Sequence, residues 1–225
     1  MLDGRKRVVA RTFDAIREAI HLSGLDLHAI AGIGIGHSGV IDLERGLVLS
    51  FPRTGHMEQW KNVPVRRMLE GEFNLPCLLE ESARTVAIAE RYFGAGDALR
   101  DFIYIDVGMG IGSAIFINGL LYRGSGGSAG EVGHITLEES GPLCCCGNRG
   151  CLEALASCTA IINNVKTAIS KGVISMIPDM VEGNLDRIDV EIIARAAAGN
   201  DTLSYRELNE RPDISERLPP ILSTI

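Results

Sequence analysis

Between Arg5 and Ser23 the apolar residues Val8, Val9, Phe13, Ile16 and Ile20 recur near helical spacing among charged neighbours, and Gly24 supplies a stop. The spacing predicts an amphipathic helix. A strand is expected from Ile30 to Ile35, ending in the loop His37, Ser38, Gly39, and a second at Leu47 to Leu49 after the turn Glu44, Arg45, Gly46. Asn62 to Phe73 reads as a helix after a loop holding Trp60, Pro76 to Leu79 as a short buried strand, and Ser82 to Phe93 as a helix closed by Gly94. Strands alternating with helices predict an α/β lobe over residues 1–98.

A second lobe, residues 99–225, is expected to open with the apolar strand Phe102 to Val107, followed by the glycine-rich run Gly108, Gly110, Gly112 and the strand Ser113 to Ile117. Asn118-Gly119 is the signature of a type I′ turn into a strand at Leu120 to Tyr122. Ala154 to Ile169 and Val190 to Ala198 read as helices, separated by a Pro- and Gly-punctuated stretch from Gly172 to Asp186. The tail from Arg211, with Pro212, Pro219 and Pro220, carries no periodic pattern and is expected to fray.

The glycine run joins two strands rather than a strand and a helix, which excludes a dinucleotide-binding βαβ fingerprint. Its backbone N–H groups are able to wrap a phosphate, and a plain tight hairpin fits the spacing equally well.

With 225 residues, 46% hydrophobic and 23% charged, the chain is long enough to bury a core in one large domain or two small lobes. No apolar run reaches the ~20 residues of a membrane helix, so no membrane partner and a cytoplasmic location are expected. The net charge of −7 gives no footprint for nucleic acid binding by this chain. The cluster Arg5, Lys6, Arg7 and Arg11 reads as a solvated helix face.

Chemistry concentrates in GEVGHITLEESGPLCCCGNRGCLE, residues 130–153. His134, Cys144, Cys146 and Cys151 offer one imidazole and three thiolates, a set suited to closed tetrahedral zinc rather than to magnesium or calcium. Gly147 and Gly150 lie where the loop must curl. The alternative is a disulfide cluster or free thiols. Adjacent Cys144, Cys145 and Cys146 make local pairing strained, and no signal peptide points to an oxidising compartment. Cys145 would point away from the metal, and Cys77 and Cys158 read as buried thiols.

These motifs, with GIGIGHSGVID at 32–42 and IDVGMGIGSAIFINGLLYRG at 105–124, resemble the ROK family of repressors, open reading frames and sugar kinases. The resemblance covers roughly residues 25–170. It implies an actin-like, ribonuclease H-like ATPase fold, incomplete at both termini, with structural zinc on His134, Cys144, Cys146 and Cys151. It also implies sugar contacts from Glu131, His134 and Glu153, with Gly39 closing the cleft from the first lobe. The other reading of Glu131 and Glu153 is that of solvated carboxylates.

The chain departs from the kinase pattern at several places. Ser82 stands where family kinases carry the catalytic Asp, Arg84 and Met109 replace further family residues, and the N-terminal D-x-G-G-T strand and C-terminal adenosine segment are missing. A serine hydroxyl is too weak a base for that work, and Glu81 is the weak candidate to replace it. The expectation is therefore a non-catalytic sugar-sensing module of the transcriptional-regulator type, forming a dimer or tetramer. The alternative is an ATP- and Mg-dependent sugar kinase of glucokinase type, and a third reading is a zinc-stabilised scaffold without a ligand.

Overall fold

A computed structural model describes residues 4–51 and 60–209; the tail from Arg211 lies outside the described residues. The chain divides into two compact units, Met1–Arg100 with Gly119–Ala129, and Asp101–Asn118 with Gly130–Ile225. Among the described residues no helix is long and apolar enough to cross a membrane.

In the first unit, helix α1 (Gly4–Ser23) lays Phe13, Ile16 and Ile20 on a core of Leu69, Phe73, Leu75 and Cys77. The Phe13 and Phe73 rings meet edge to face at 5.7 Å. As its pattern required, α1 stops at Gly24, which takes φ +64° at no steric cost.

Strand β1 (Ile33–His37) starts three residues later than expected and runs two further, after a 3-10 turn at Leu27–Ala29. What fixes it is parallel pairing with β4 (Cys77–Glu81), in a register that sets Ile33 against Cys77 and His37 against Glu81. The sequence pattern missed β2 (Val40–Asp42), a three-residue strand antiparallel to β3 (Leu47–Ser50) with a register shift at Val40/Ile41. Three residues carry too little alternation to read.

Helix α2 (Val65–Phe73) begins later than Asn62 for two reasons. Asn62 is left-handed with φ +54°, and Val63 precedes Pro64, whose ring disfavours α backbone before it. Val63 instead forms an antiparallel bridge with Val48, and both pack beside Trp60. Helix α3 (Ser82–Phe93) follows β4 directly and matches the expected span.

In the second unit, β5 (Phe102–Val107) runs antiparallel to β6 (Ile111–Ile117), with the Phe102 and Phe116 rings stacked at 4.7 Å. Ile111 and Gly112 belong to β6, so the glycine loop shrinks to a turn at Gly108–Gly110. Asn118 at φ +54° and Gly119 at φ +76° make the expected primed turn, through which the chain passes into β7 (Leu120–Tyr122), counted with the first unit.

The single helix expected over Ala154 to Ile169 is two, α4 (Leu152–Ala156) and α5 (Cys158–Ser170). Ser157 breaks it in extended backbone, its hydroxyl accepting from the Ala160 N–H as the cap of α5. The punctuated stretch contains a short helix α6 (Ile177–Met180) and a 3-10 turn at Leu185–Arg187. Helices α7 (Val190–Ala198) and α8 (Thr202–Asn209) close the unit around Val165, Ile177, Val181, Ile188, Ile193, Ala196 and Leu203.

Helix α8 was unassigned from sequence, although Asp201 and Ser204 carry a readable capping signal. The buried Asp201 carboxylate accepts from the Ser204 N–H and hydroxyl through Oδ1, and from the Met176 N–H through Oδ2. Burial alone would raise its pKa, but these donors outweigh burial and hold it below the usual Asp value. A lowered folded-state pKa contributes stability that is present above the unfolded value of about 3.9 and lost as pH falls through the folded one. Asp201→Asn is therefore expected to flatten the acid limb of stability below about pH 4, measured as the urea midpoint against pH. An unchanged acid limb would overturn this.

Candidate functional site

The segment from Gly130 to Glu153 folds as a compact cysteine loop in the second unit. A 3-10 turn at Val132–His134 delivers the imidazole, and Gly133 presses so closely on β6 that a methyl group there would overlap the Ile111 carbonyl oxygen. Antiparallel bridges join Thr136 to Cys151 and Leu143 to Arg149. Within them the Cys144 N–H donates to Asn148 O at 2.8 Å and the Gly147 N–H to Cys144 O at 3.0 Å. Gly147 at φ +92° and Gly150 at φ +63° supply the curl the sequence implied.

The loop brings the donor atoms of His134, Cys144, Cys146 and Cys151 within 4.8 Å of one another. A tetrahedral zinc with bonds of about 2.3 Å to sulfur and 2.05 Å to nitrogen needs sulfur–sulfur edges near 3.8 Å and nitrogen–sulfur edges near 3.6 Å. Cys146 Sγ lies 3.7 Å from Cys151 Sγ, and His134 Nδ1 lies 3.5 Å from Cys144 Sγ. The donor set and its spacing fit the ion. All six thiols are free, so the disulfide alternative is not formed.

Two thiols of this set are pushed in opposite directions. Burial and the thiols of Cys144 and Cys146 raise Cys151 to about 12. For Cys146 burial raises the value, but the Asn148 N–H and the neighbouring thiols outweigh it and leave the thiol below its ordinary range. A cation entering here takes the place of protons held between crowded sulfurs. On the other side of the ring, His134 Nε2 faces Glu131 Oε2 at 4.0 Å, beyond hydrogen-bond distance.

Glu153, in the first turn of α4, accepts the Ile111 N–H through Oε2 at 2.9 Å and the Cys145 thiol through Oε1 at 3.3 Å. Cys145 is thus held by Glu153 outside the four-residue set, with its sulfur within 4.8 Å of the Cys144 sulfur. Desolvation and that carboxylate push its thiol up to about 12. Cys77 is buried in the first unit's core; Cys158 is only half-buried, at the start of α5, a correction to the expectation of a buried thiol.

At the Gly108–Gly110 turn, the Gly108 N–H donates to Gly110 O, and the Gly108 and Met109 carbonyls accept from the Cys158 N–H and the Thr159 hydroxyl at the start of α5. The Gly112 position lies inside β6.

In the first unit, Ser82 opens α3 with its hydroxyl 3.1 Å from that of Ser38. Glu81 caps the same helix: Oε2 accepts the Arg84 N–H at 3.0 Å and Oε1 the Ser82 hydroxyl at 2.9 Å. Gly39 follows, its N–H donating to His37 Nδ1 at 2.8 Å, which leaves the remaining proton of a neutral ring on Nε2. Burial lowers the His37 pKa, with the Glu81 charge opposing.

Sequence reasoning did not find the network beside Ser82. Arg84, 2% exposed, sets Nη1 3.7 Å from Glu80 Oε1 and donates through Nη2 to Ala129 O at 2.9 Å, while Arg123 donates to Glu80 Oε2 at 2.6 Å. Glu80 and Arg123 are 43 residues apart, so no local pattern announces the pair.

By its match to a family model and to solved structures, the chain has the actin-like fold of a class that includes glucokinases and xylose repressors. The ROK family model matches residues 5–210, and the chain belongs to that family. It is 37% identical over 171 residues to the xylose repressor of Caldicellulosiruptor bescii, covering 76% of this chain and 42% of that protein. A solved glucokinase of the family from Streptomyces griseus, in complex with glucose and AMPPNP, superposes with a TM-score of 0.73 at 34% identity, covering 87% of this chain and 62% of that one. A solved ROK transcriptional regulator, a homolog of the E. coli MLC protein, gives 0.69 at 30% identity, covering 90% and 49%. The chain spans about half the length of the relatives it matches.

Proposed function

We propose that this chain is the sugar-sensing part of a ROK regulator, with zinc as a structural ion and no phosphotransfer of its own. The observation that carries the reading is the state of Glu81. Family kinases need a carboxylate base where Ser82 stands, and the nearest carboxylate is spent on the helix cap, with a hydrogen bond at each oxygen. Turning Glu81 toward a substrate hydroxyl would give up these two bonds and with them the cap of α3.

Zinc on His134, Cys144, Cys146 and Cys151 anchors the loop from which Glu131, His134 and Glu153 offer polar atoms to sugar hydroxyls. A loop held by metal loses little further freedom when the ligand arrives. Calorimetry on zinc-loaded protein with xylose, glucose and N-acetylglucosamine tests the reading. Saturable binding below about 1 mM, near −4 kcal/mol, is expected for at least one of them. No heat from any sugar with folded, zinc-containing protein would sink it.

A second reading, an ATP-dependent sugar kinase, is favoured by the glycine turn kept between β5 and β6. Coupled ADP release with those sugars is expected to show no turnover. Turnover that disappears in Glu81→Gln would establish the kinase instead.

A further inference from the structure

The cysteine loop holds one thiol more than a four-ligand site needs. Cys144, Cys145 and Glu153 place two sulfurs and one carboxylate oxygen within 4.8 Å of one another, beside the first set and sharing Cys144 with it. We propose that these three residues form a second metal site, for a soft divalent cation of the cadmium type, with the Cys144 sulfur bridging the two ions.

Two observations and one charge argument carry the assignment. Glu153 is aimed by the structure: the Ile111 N–H fixes Oε2, which leaves Oε1 directed at the Cys145 sulfur at 3.3 Å. Cys145 is exposed, which gives an ion a way in, whereas Cys144 is buried behind it. The third is charge. A divalent ion on three thiolates and a neutral imidazole carries a net charge of −1, so the Cys144 sulfur keeps electron pairs available to a second ion.

Two sulfurs and one oxygen select a thiophilic cation over magnesium or calcium. As the bond from Cys145 sulfur to the cation forms, the S–H bond breaks and its proton passes to solvent. Glu153 keeps its hydrogen bond to Ile111 through the other oxygen, and water completes the coordination. The Cys145 and Glu153 ligands bring two negative charges to match the second ion's two positive ones, so the pair of sites holds the same net charge as the first alone.

The proposal rests on zinc holding the first site, and the test reads the two separately. Zinc is counted on the purified chain by plasma mass spectrometry, cadmium chloride is then titrated in, and both metals are counted after dialysis. Wild-type protein is expected to keep about one zinc and gain about one cadmium, with a thiolate-to-cadmium absorption band in the ultraviolet. Cys145→Ser, a change at an exposed position, keeps the zinc and gains no cadmium, and Glu153→Gln binds cadmium about tenfold more weakly.

If the purified chain carries no zinc, the earlier reading fails while this one stays testable, since cadmium should then count two per chain and fall to one in Cys145→Ser. Cadmium that enters only as zinc leaves, or that enters Cys145→Ser as fully as wild type, overturns the second site.

Discussion

Cys151→Ser is expected to strip zinc from the protein and lower its melting temperature by about 10 °C, while Cys145→Ser does neither. The residue is fully buried, with its sulfur 3.7 Å from that of Cys146 and its pKa raised to about 12 in the absence of a cation. Structural zinc in small peptides contributes roughly 10–16 kcal/mol of apparent binding energy, so losing one thiolate of the set removes a large favourable term. The serine hydroxyl left behind costs a further ~1–3 kcal/mol if it finds no partner.

The second unit has a core of its own around Val165, Ile193 and Leu203, so the variant should remain folded at low temperature. A net loss of about 3 to 5 kcal/mol, at roughly 2–4 °C per kcal/mol, gives the stated shift. Zinc counting and differential scanning fluorimetry read both effects. Equal behaviour of the Cys145 and Cys151 variants would reject the ligand assignment.

The second large effect is expected at a residue with no side chain. At Gly150, φ is +63° and a methyl group would overlap the carbonyl oxygen of Glu138, which is backbone and cannot swing aside. The Gly150 carbonyl also accepts from the N–H groups of Leu137 and Glu138 at 2.8 and 3.3 Å, so a shift here breaks the joint between the two arms of the cysteine loop.

Gly147 has φ +92° but open space around the same methyl position. Gly147→Ala therefore meets only left-handed strain, about 1–2 kcal/mol, and should keep its zinc. Gly150→Ala should lose at least twice that stability and release zinc to a weaker chelator. Thermal melts and competition with a chromogenic chelator separate the two. If both variants hold zinc equally, backbone fit at Gly150 is not what shapes the loop.

Elements with a strong local signature were legible before the structure. Helices α1, α3 and α7 showed their periodicity, and Asn118-Gly119 announced its own turn. What escaped was decided by distant partners or by single residues overriding a pattern. The start of β1 is set by β4, and α2 waits for Pro64. Ser157 splits an apolar stretch that reads as one helix, because its hydroxyl caps the second half.

The site divides in the same way. His134 and its three cysteines sit in one short segment, so spacing exposed them as a set. The bond from Ile111 to Glu153 spans 42 residues and the pair of Glu80 with Arg123 spans 43, and neither leaves a trace in local sequence. The role of Glu81 as a helix cap was equally hidden, since sequence shows a carboxylate and not where its oxygens point.

The carboxylate shared between Ile111 and Cys145 makes the first residue of β6 a built-in gauge of the cysteine loop. A molecule that takes the Oε2 atom of Glu153 must release the Ile111 amide, whereas one that takes Oε1 leaves it bound, and a released amide exchanges its proton faster and shifts its resonance. Events at the loop are thereby transcribed into the strand that leaves the glycine turn, so one backbone signal reports on a side chain that has no spectroscopic voice of its own.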